Sequence, residues 1–237
     1  MRPRLVLVPI TMAAALLVGC TSPGPAPMPT TTTPSDNGVA ALAPEEILTR
    51  AQSALATATS YRMKGEISNE GQTTKIDLQN GGTNVKGSID LNGQALELLR
   101  IDQDLYMKAA DAFWKQFIPA DQQGVLTLLS GKYVKVDATN ESFSAFTEAF
   151  DASEILKAEG SVTKSTPTTI HGTPAIGLVS SDRDATLYIA MTGEPYPLRI
   201  EGKPSQGSVD FTDFGKSIEF TPPAASEVVD LKAITGG

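Results

Sequence analysis

The sequence contains few of the side chains on which enzymes and metal sites usually depend. Its 237 residues include one cysteine, one histidine and one tryptophan, and aromatic residues make up 6%. A single cysteine excludes a disulfide within the chain. His171 is followed directly by Gly172, a pair typical of a turn, and no Gly-x-Ser-x-Gly motif is present. We therefore predict no catalytic residue, no metal site and no other cofactor.

Two pairs of aspartates offer an alternative to this prediction. Asp102 with Asp104, and Asp182 with Asp184, could act as paired carboxylates, could bind Ca²⁺ or could stand in solvated hairpin loops. Both pairs lie between segments that alternate like strands, so we favour the loops.

Positive charge is also scarce. The chain has 19 lysines and arginines against 27 aspartates and glutamates, a net charge of −8. Nucleic-acid binding depends on lysine and arginine neutralising phosphates, so this balance argues against a nucleic-acid partner. It argues equally against attachment to an anionic membrane through basic patches.

The only cysteine stands at the end of an apolar run. Arg2 and Arg4 precede residues 5–18, which are almost entirely apolar and shorter than a membrane-spanning helix. The run ends in Leu-Val-Gly-Cys at Cys20, which resembles a bacterial lipobox. The resemblance implies cleavage after residue 19 and a diacylglycerol on the sulfur of Cys20. We predict an exported chain that is anchored by acylated Cys20 to the outer face of the cytoplasmic membrane, in the cell envelope. The alternative is an ordinary buried cysteine.

The segment after Cys20 differs in composition from the rest of the chain. Residues 20–43 contain five prolines and a block of four threonines, with almost no charge. Such a segment buries little and is typical of an extended tether. We predict a signal peptide over 1–19, a lipidated tether over 20–43 and a single folded domain over 44–237.

The domain begins with a helical pattern and continues with strands. Pro44 and two glutamates suit a helix N-terminus, and apolar residues at helical spacing follow as far as Ala58. From Tyr61 the apolar residues alternate with polar ones, and turn signals recur at intervals of about ten residues. Residues 119–129 and 140–158 predict further helices, and alternation returns from Ser161. This order predicts an α+β fold with one antiparallel sheet.

Several local motifs resemble a known family. They are Tyr61-Arg62-Met63-Lys64-Gly65, Asp104-Leu105-Tyr106-Met107-Lys108 before Phe113-Trp114, and Thr186-Leu187-Tyr188-Ile189 leading into Gly193-Glu194-Pro195-Tyr196-Pro197-Leu198-Arg199. With the element order, they resemble the LolA/LolB-like superfamily, in particular actinobacterial lipoproteins of the LppX/LprG type. The resemblance implies a curved antiparallel half-barrel with helices packed on its concave side. In several members this fold encloses an apolar cavity that holds acyl chains.

The apolar residues at alternate strand positions are candidates to line such a cavity. They are equally compatible with an ordinary filled core between sheet and helices. The candidates are Met63, Ile67, Ile76, Leu78, Ile89, Leu91, Leu96, Leu98, Leu187, Ile189, Met191 and Leu198. Trp114 is either a cap over one end of the sheet, which we favour, or the edge of a cavity mouth or membrane contact.

The expected function follows from the anchor and from the resemblance. We expect a monomeric lipoprotein that binds the acyl chains of a lipid or glycolipid and carries or transfers them in the envelope, with a possible acceptor protein. The alternative is an anchored, non-enzymatic interaction or sensor module with a filled core.

Overall fold

The structure is a computed structural model. It describes residues 35–69, 71–116, 118, 121–137, 156–157, 160–182 and 184–235. The predicted signal peptide, Cys20, most of the predicted tether and nearly all of the predicted helix over 140–158 lie outside the described residues.

Thirteen strands form one sheet in the described part of the chain. They are β1 Tyr61–Asn69, β2 Gln72–Gly81, β3 Asn84–Leu91, β4 Gln94–Ile101, β5 Asp104–Ala109, β6 Tyr133–Asp137, β7 Val162–Lys164, β8 Thr168–Ile170, β9 Thr173–Ser180, β10 Thr186–Ala190, β11 Pro197–Glu201, β12 Gly207–Thr212 and β13 Val228–Asp230.

The strand order follows the chain except where β13 lies beside β6, β1 beside β12 and β9 beside β7. It runs β13-β6-β5-β4-β3-β2-β1-β12-β11-β10-β9-β7, with β8 paired to β9. Among the described strands, all pairs are antiparallel except β13 with β6, and the curved sheet that they form does not close into a barrel. The predicted α+β class with an antiparallel sheet is confirmed. The hairpins from β1 to β5 turn where the sequence predicts, for example at Asn92 and Gly93, which both have positive φ.

Four short α-helices accompany the sheet in the described residues: α1 Pro44–Thr57, α2 Asp111–Trp114, α3 Gln123–Leu129 and α4 Leu231–Thr235. Helix α1 begins at the predicted proline, with Glu45 and Glu46 in its first turn. Helix α3 covers the second half of the predicted stretch 119–129. Helix α2 has no counterpart in the prediction, because a single turn is too short to show a helical period.

Strand pairing assigns each side chain to one of two faces, since directly paired residues project to the same side. One row of paired residues crosses seven strands and consists only of apolar residues and one glycine. It contains Phe211, Met63, Leu78, Gly87, Leu98, Met107 and Val134. We call this side the apolar face and the other side the polar face.

The helices cover two parts of the apolar face. Helix α1 buries Ile47 and Ala51 against Ile176 and Ile189 of strands β9 and β10, and Leu55 packs farther along with residues of β1 and β12. Helices α2 and α3 pack over strands β3 to β6 in a third apolar cluster. The core therefore lies on one side of the sheet.

Contacts with the sheet begin before Pro44, inside the segment that the sequence predicts as a tether. The Asn37 side-chain amide donates hydrogen bonds to the carbonyl oxygens of Ala190 and Gly193, both at 3.0 Å, and Val39 is 1% exposed in the core beside α1. The last residues of the predicted tether thus dock on the hairpin between β10 and β11. Composition alone missed this, because the docking depends on partners far away in sequence.

Candidate functional site

Ten of the twelve predicted cavity residues share a side of the sheet, and the twelve differ in exposure. Strand pairing places these ten on the apolar face, whereas Leu198 lies at the irregularity in the pairing of β10 with β11 and Met191 follows β10. Six are at most 6% exposed and contact protein on all sides: Met63, Leu78, Ile89, Leu96, Leu98 and Ile189. Five are partly buried: Ile76, Leu91, Leu187, Met191 and Leu198. Ile67 is 39% exposed.

Ile67, the exposed member of the predicted set, lies beside a hollow at one end of the apolar face. This hollow has a volume of about 460 Å³ and lies where β1 ends and β12 begins. It is lined by Ile67, Ser68, Ala185, Ile200, Gly202, Gln206 and Gly207. We call this hollow and its lining residues the open end. Its volume lies within the range of small-molecule pockets, about 300–1,000 Å³.

Partly buried apolar side chains connect the open end with the core. Ile200, which lines the open end, packs against the cluster that contains Val209 and Phe211. Ile76 packs against that cluster and also against the cluster beneath α2 and α3. Leu187 joins the same region to the cluster under the first half of α1. An apolar surface therefore continues inward from the open end.

The predicted set omits several residues that line the open end. Ile200 has the same alternation as Leu198, so its strand pattern could have identified it. Gly202 and Gly207 have no side chain and give no apolar signal in the sequence. Their place at the open end follows from the turn that joins β11 to β12.

Trp114 is a cap within the core. It is 3% exposed, and its ring meets the ring of Phe113 edge-on with 5.3 Å between centroids. Both rings belong to the cluster beneath α2 and α3. The indole nitrogen is buried and has no hydrogen-bond partner in the described part of the chain. This burial agrees with the favoured interpretation of Trp114 as a cap.

Ion pairs between neighbouring strands hold the polar face. Arg62 donates to both carboxylate oxygens of Asp77, at 2.7 Å each, and the Lys64 ammonium lies 3.2 Å from one of them. The hydrogen bond from Arg62 is the main cause that lowers the pKa of Asp77. Burial of Asp210 opposes its ionisation, but hydrogen bonds from Arg199 and His171 outweigh burial, so the pKa of Asp210 is also lowered. Burial, with a hydrogen bond to Glu97, raises the pKa of Tyr133 to about 12.

His171 occupies the turn between β8 and β9. It has a positive φ of 49°, its side chain is 52% exposed, and its Nε2 lies 3.0 Å from an oxygen of Asp210. The described residues contain no group of three or more histidine, cysteine, aspartate or glutamate side chains placed to hold a metal ion. Of the helices described above, none has the length and apolar character needed to cross a membrane.

Comparisons with known proteins find similarity only at the level of structure. No family model and no characterised protein sequence matches the chain. LprF from Mycobacterium bovis is similar with a TM-score of 0.48 and 14% identity, over 77% of this chain and 97% of that one. The lipoprotein LppX from Mycobacterium tuberculosis has a TM-score of 0.45 and 12% identity, over 75% and 99%. An uncharacterised conserved protein from Thermus thermophilus has a TM-score of 0.41 and 11% identity, over 78% and 98%. These likenesses concern the course of the backbone, and no side chain is transferred from them.

Proposed function

We propose that this protein is an envelope lipoprotein, anchored through acylated Cys20, that binds an acyl chain of a lipid at the open end and carries it within the envelope. The observation on which the proposal depends is the exposure of Ile67 beside an apolar hollow of about 460 Å³. Moving hydrocarbon from water into such a hollow is favourable by about 0.8 kcal/mol per methylene group. No step of this function requires a catalytic residue.

The tether sets how far the domain reaches from the membrane. Because the chain docks on the domain from Ser35 onward, only about 15 residues separate Cys20 from the folded unit. At about 3.1 Å per residue, an extended proline-rich segment of this length spans about 45 Å. The domain can therefore receive lipid from its own membrane or deliver it to an acceptor a short distance away.

An anchored interaction or sensor module with a filled core is the second candidate. The observation that favours it is the burial of six predicted cavity residues, which are at most 6% exposed. In that case the open end would be a shallow surface feature that holds no lipid.

Native mass spectrometry of the full chain, purified in detergent from bacteria that lipidate it, separates these candidates. Collisional activation removes lipid held by the fold but leaves the acyl groups on Cys20, so the two kinds of lipid are distinguished by mass. The preparation is incubated with dioleoyl phosphatidylglycerol and dioleoyl digalactosyl glycerol. The proposal predicts a removable lipid; a chain without one after incubation with both would establish the filled-core alternative.

Two exposed β-branched residues supply a matched pair of variants. Ile67 is 39% exposed at the open end, whereas Val179 is 38% exposed on the polar face. Ile67→Asp places a charge against the bound hydrocarbon and is expected to weaken binding on the order of tenfold. Val179→Asp is expected to leave binding unchanged. Equal loss in both variants would contradict the assignment of the open end.

A further inference from the structure

A second and larger hollow adjoins the open end on the polar face of the sheet. It has a volume of about 800 Å³ and lies over strands β12, β1, β2 and β3. Ser68 and Gly207 line both this hollow and the open end. The two hollows therefore meet at one place, where β1 ends and β12 begins. We call the larger one the polar hollow.

The junction between the two hollows is formed mainly by backbone. The Ser68 amide donates a hydrogen bond of 2.8 Å to the carbonyl oxygen of Gln206. Gly207 has a φ of +78°, and a Cβ at this position would overlap the carbonyl oxygen of Glu66. Glycine is therefore required for the close approach of β12 to β1. As a result, no side chain stands at Gly207 between the apolar and the polar hollow.

The chemistry of the polar hollow differs from that of the open end. Its lining contains three serine hydroxyls in addition to Ser68, two lysines and four carboxylates, with no aromatic ring. The carboxylates of Asp77 and Asp210 are held by Arg62 and Arg199, respectively. The side chains of Lys64, Lys75 and Glu66 are more than half exposed and can turn toward a ligand.

This lining favours one class of polar ligand. Donor groups of lysine and serine occur in the same lining as acceptor groups of aspartate and glutamate, which suits hydroxyl groups because each hydroxyl both donates and accepts hydrogen bonds. Each cation at the hollow is paired: Lys64 and Arg62 with Asp77, Lys75 with Glu66, and Arg199 with Asp210. The whole chain has a net charge of −8. A phosphate group would therefore meet no unpaired cation in this lining and would be repelled by the net charge of the chain, whereas a neutral sugar would not.

We propose that the polar hollow is the headgroup subsite for a lipid whose acyl chain occupies the open end, and that the headgroup is neutral and rich in hydroxyl groups. This inference rests on the proposed function. An amphipathic lipid has its polar group next to its acyl chains, and the two hollows present the same change of polarity at Ser68 and Gly207. Glycosyl diacylglycerols are ligands of this class.

Competition between two lipids with identical chains tests the headgroup preference directly. The full chain, in an amine-oxide detergent without sugar, is incubated with equal amounts of dioleoyl digalactosyl glycerol and dioleoyl phosphatidylglycerol. Native mass spectrometry then gives the ratio of the two bound lipids. We expect the galactolipid to be favoured about 3- to 10-fold, the size of one or two partly screened charge interactions.

A charge reversal inside the polar hollow should change this ratio. Glu66 lies in the hollow, 3.7 Å from Lys75, and Glu66→Lys replaces a negative with a positive charge there. We expect the preference for galactolipid to fall to about unity or to reverse. Glu194→Lys makes the same change at an exposed position in the hairpin between β10 and β11, at the other end of those strands, and should leave the ratio unchanged.

The ratio is insensitive to a general loss of stability, because both lipids compete for the same molecules. Equal binding of the two lipids by the natural chain, or an equal shift in both variants, would overturn the headgroup subsite and leave the acyl site intact. Binding of neither lipid would instead overturn the proposed function itself.

Discussion

The two faces of this sheet obey the same alternation but are stabilised in different ways. On the apolar face, residues such as Leu78 and Leu98 form rows that need a covering element to leave water. On the polar face, one row crosses eight strands without an aliphatic residue: Tyr188, Arg199, Asp210, Lys64, Asp77, Ser88, Glu97 and Lys108. Its charges pair between neighbouring strands while facing solvent.

The difference shows where this molecule has room for a ligand. A polar face stabilised by ion pairs can remain in contact with water. An apolar face leaves water only where helices cover it, and here α1, α2 and α3 leave Ile67 and its neighbours partly uncovered. The proposed site lies at the edge of the apolar face, where the open end adjoins the polar hollow.

The largest expected effect concerns the covered part of the apolar face. Leu96 is fully buried beneath α2, so Leu96→Ala removes buried methyl groups and leaves a cavity. We expect the free energy of unfolding to fall by about 2–5 kcal/mol, measured by urea denaturation. A loss below about 1 kcal/mol would mean that the part of the apolar face beneath the helices is loosely packed, which would contradict its description as a buried core.

The close approach of β1 and β12 provides the next largest effect. A Cβ at Gly65 would overlap the carbonyl oxygen of Ser208 in the neighbouring strand. Gly65→Ala should therefore lower the free energy of unfolding by about 1–3 kcal/mol. Gly124 in α3 has open space around it, so Gly124→Ala should instead raise stability by about 0.5–1 kcal/mol. The same sign for both substitutions would refute the steric argument.

The ion pairs of the polar face predict a smaller effect that depends on pH. Arg62 lowers the pKa of Asp77 below 3.8 in the folded protein, so ionised Asp77 stabilises the fold above that pH. The contribution is lost as the pH falls through the lowered pKa. Asp77→Asn should reduce the free energy of unfolding by up to about 1 kcal/mol at pH 7, and the difference from the natural chain should shrink in acid.

Asp184 supplies the control for this pH experiment. Its ion pair with Lys203 is 2.6 Å long, but both side chains are more than half exposed. Asp184→Asn is expected to change stability by less than about 0.5 kcal/mol. If Asp77→Asn differed from the natural chain equally at neutral and acidic pH, the loss would not come from the charge of Asp77.

A small effect on stability is also expected for a substitution at the open end. Because Ile67 is 39% exposed, Ile67→Ala should lower the free energy of unfolding by less than about 1 kcal/mol, far below the change for Leu96→Ala. The same urea experiment measures both. A loss equal to that of Leu96→Ala would place Ile67 in the core and remove the distinction between open and covered parts of the apolar face.

Local patterns in the sequence predicted a large part of this fold. The helix that begins at Pro44, the hairpins of β1 to β5 and the antiparallel class follow from helical spacing, period-two alternation and turn residues. Alternation also placed ten of the predicted cavity residues on one face. Lipidation of Cys20 and the signal peptide stay predictions, since they lie outside the described residues.

The sequence by itself determined which residues alternate, and hence which side chains share a face, because that property depends only on neighbours in the chain. Only the tertiary structure decided which of them are covered. It separated fully buried Leu96 from exposed Ile67 and docked Asn37 and Val39 on a distant hairpin. It also paired β1 with β12, which brings Ser68 and Gly207 together at the junction of the two hollows. Burial and junctions depend on contacts between segments far apart in the chain, and no local pattern encodes those contacts.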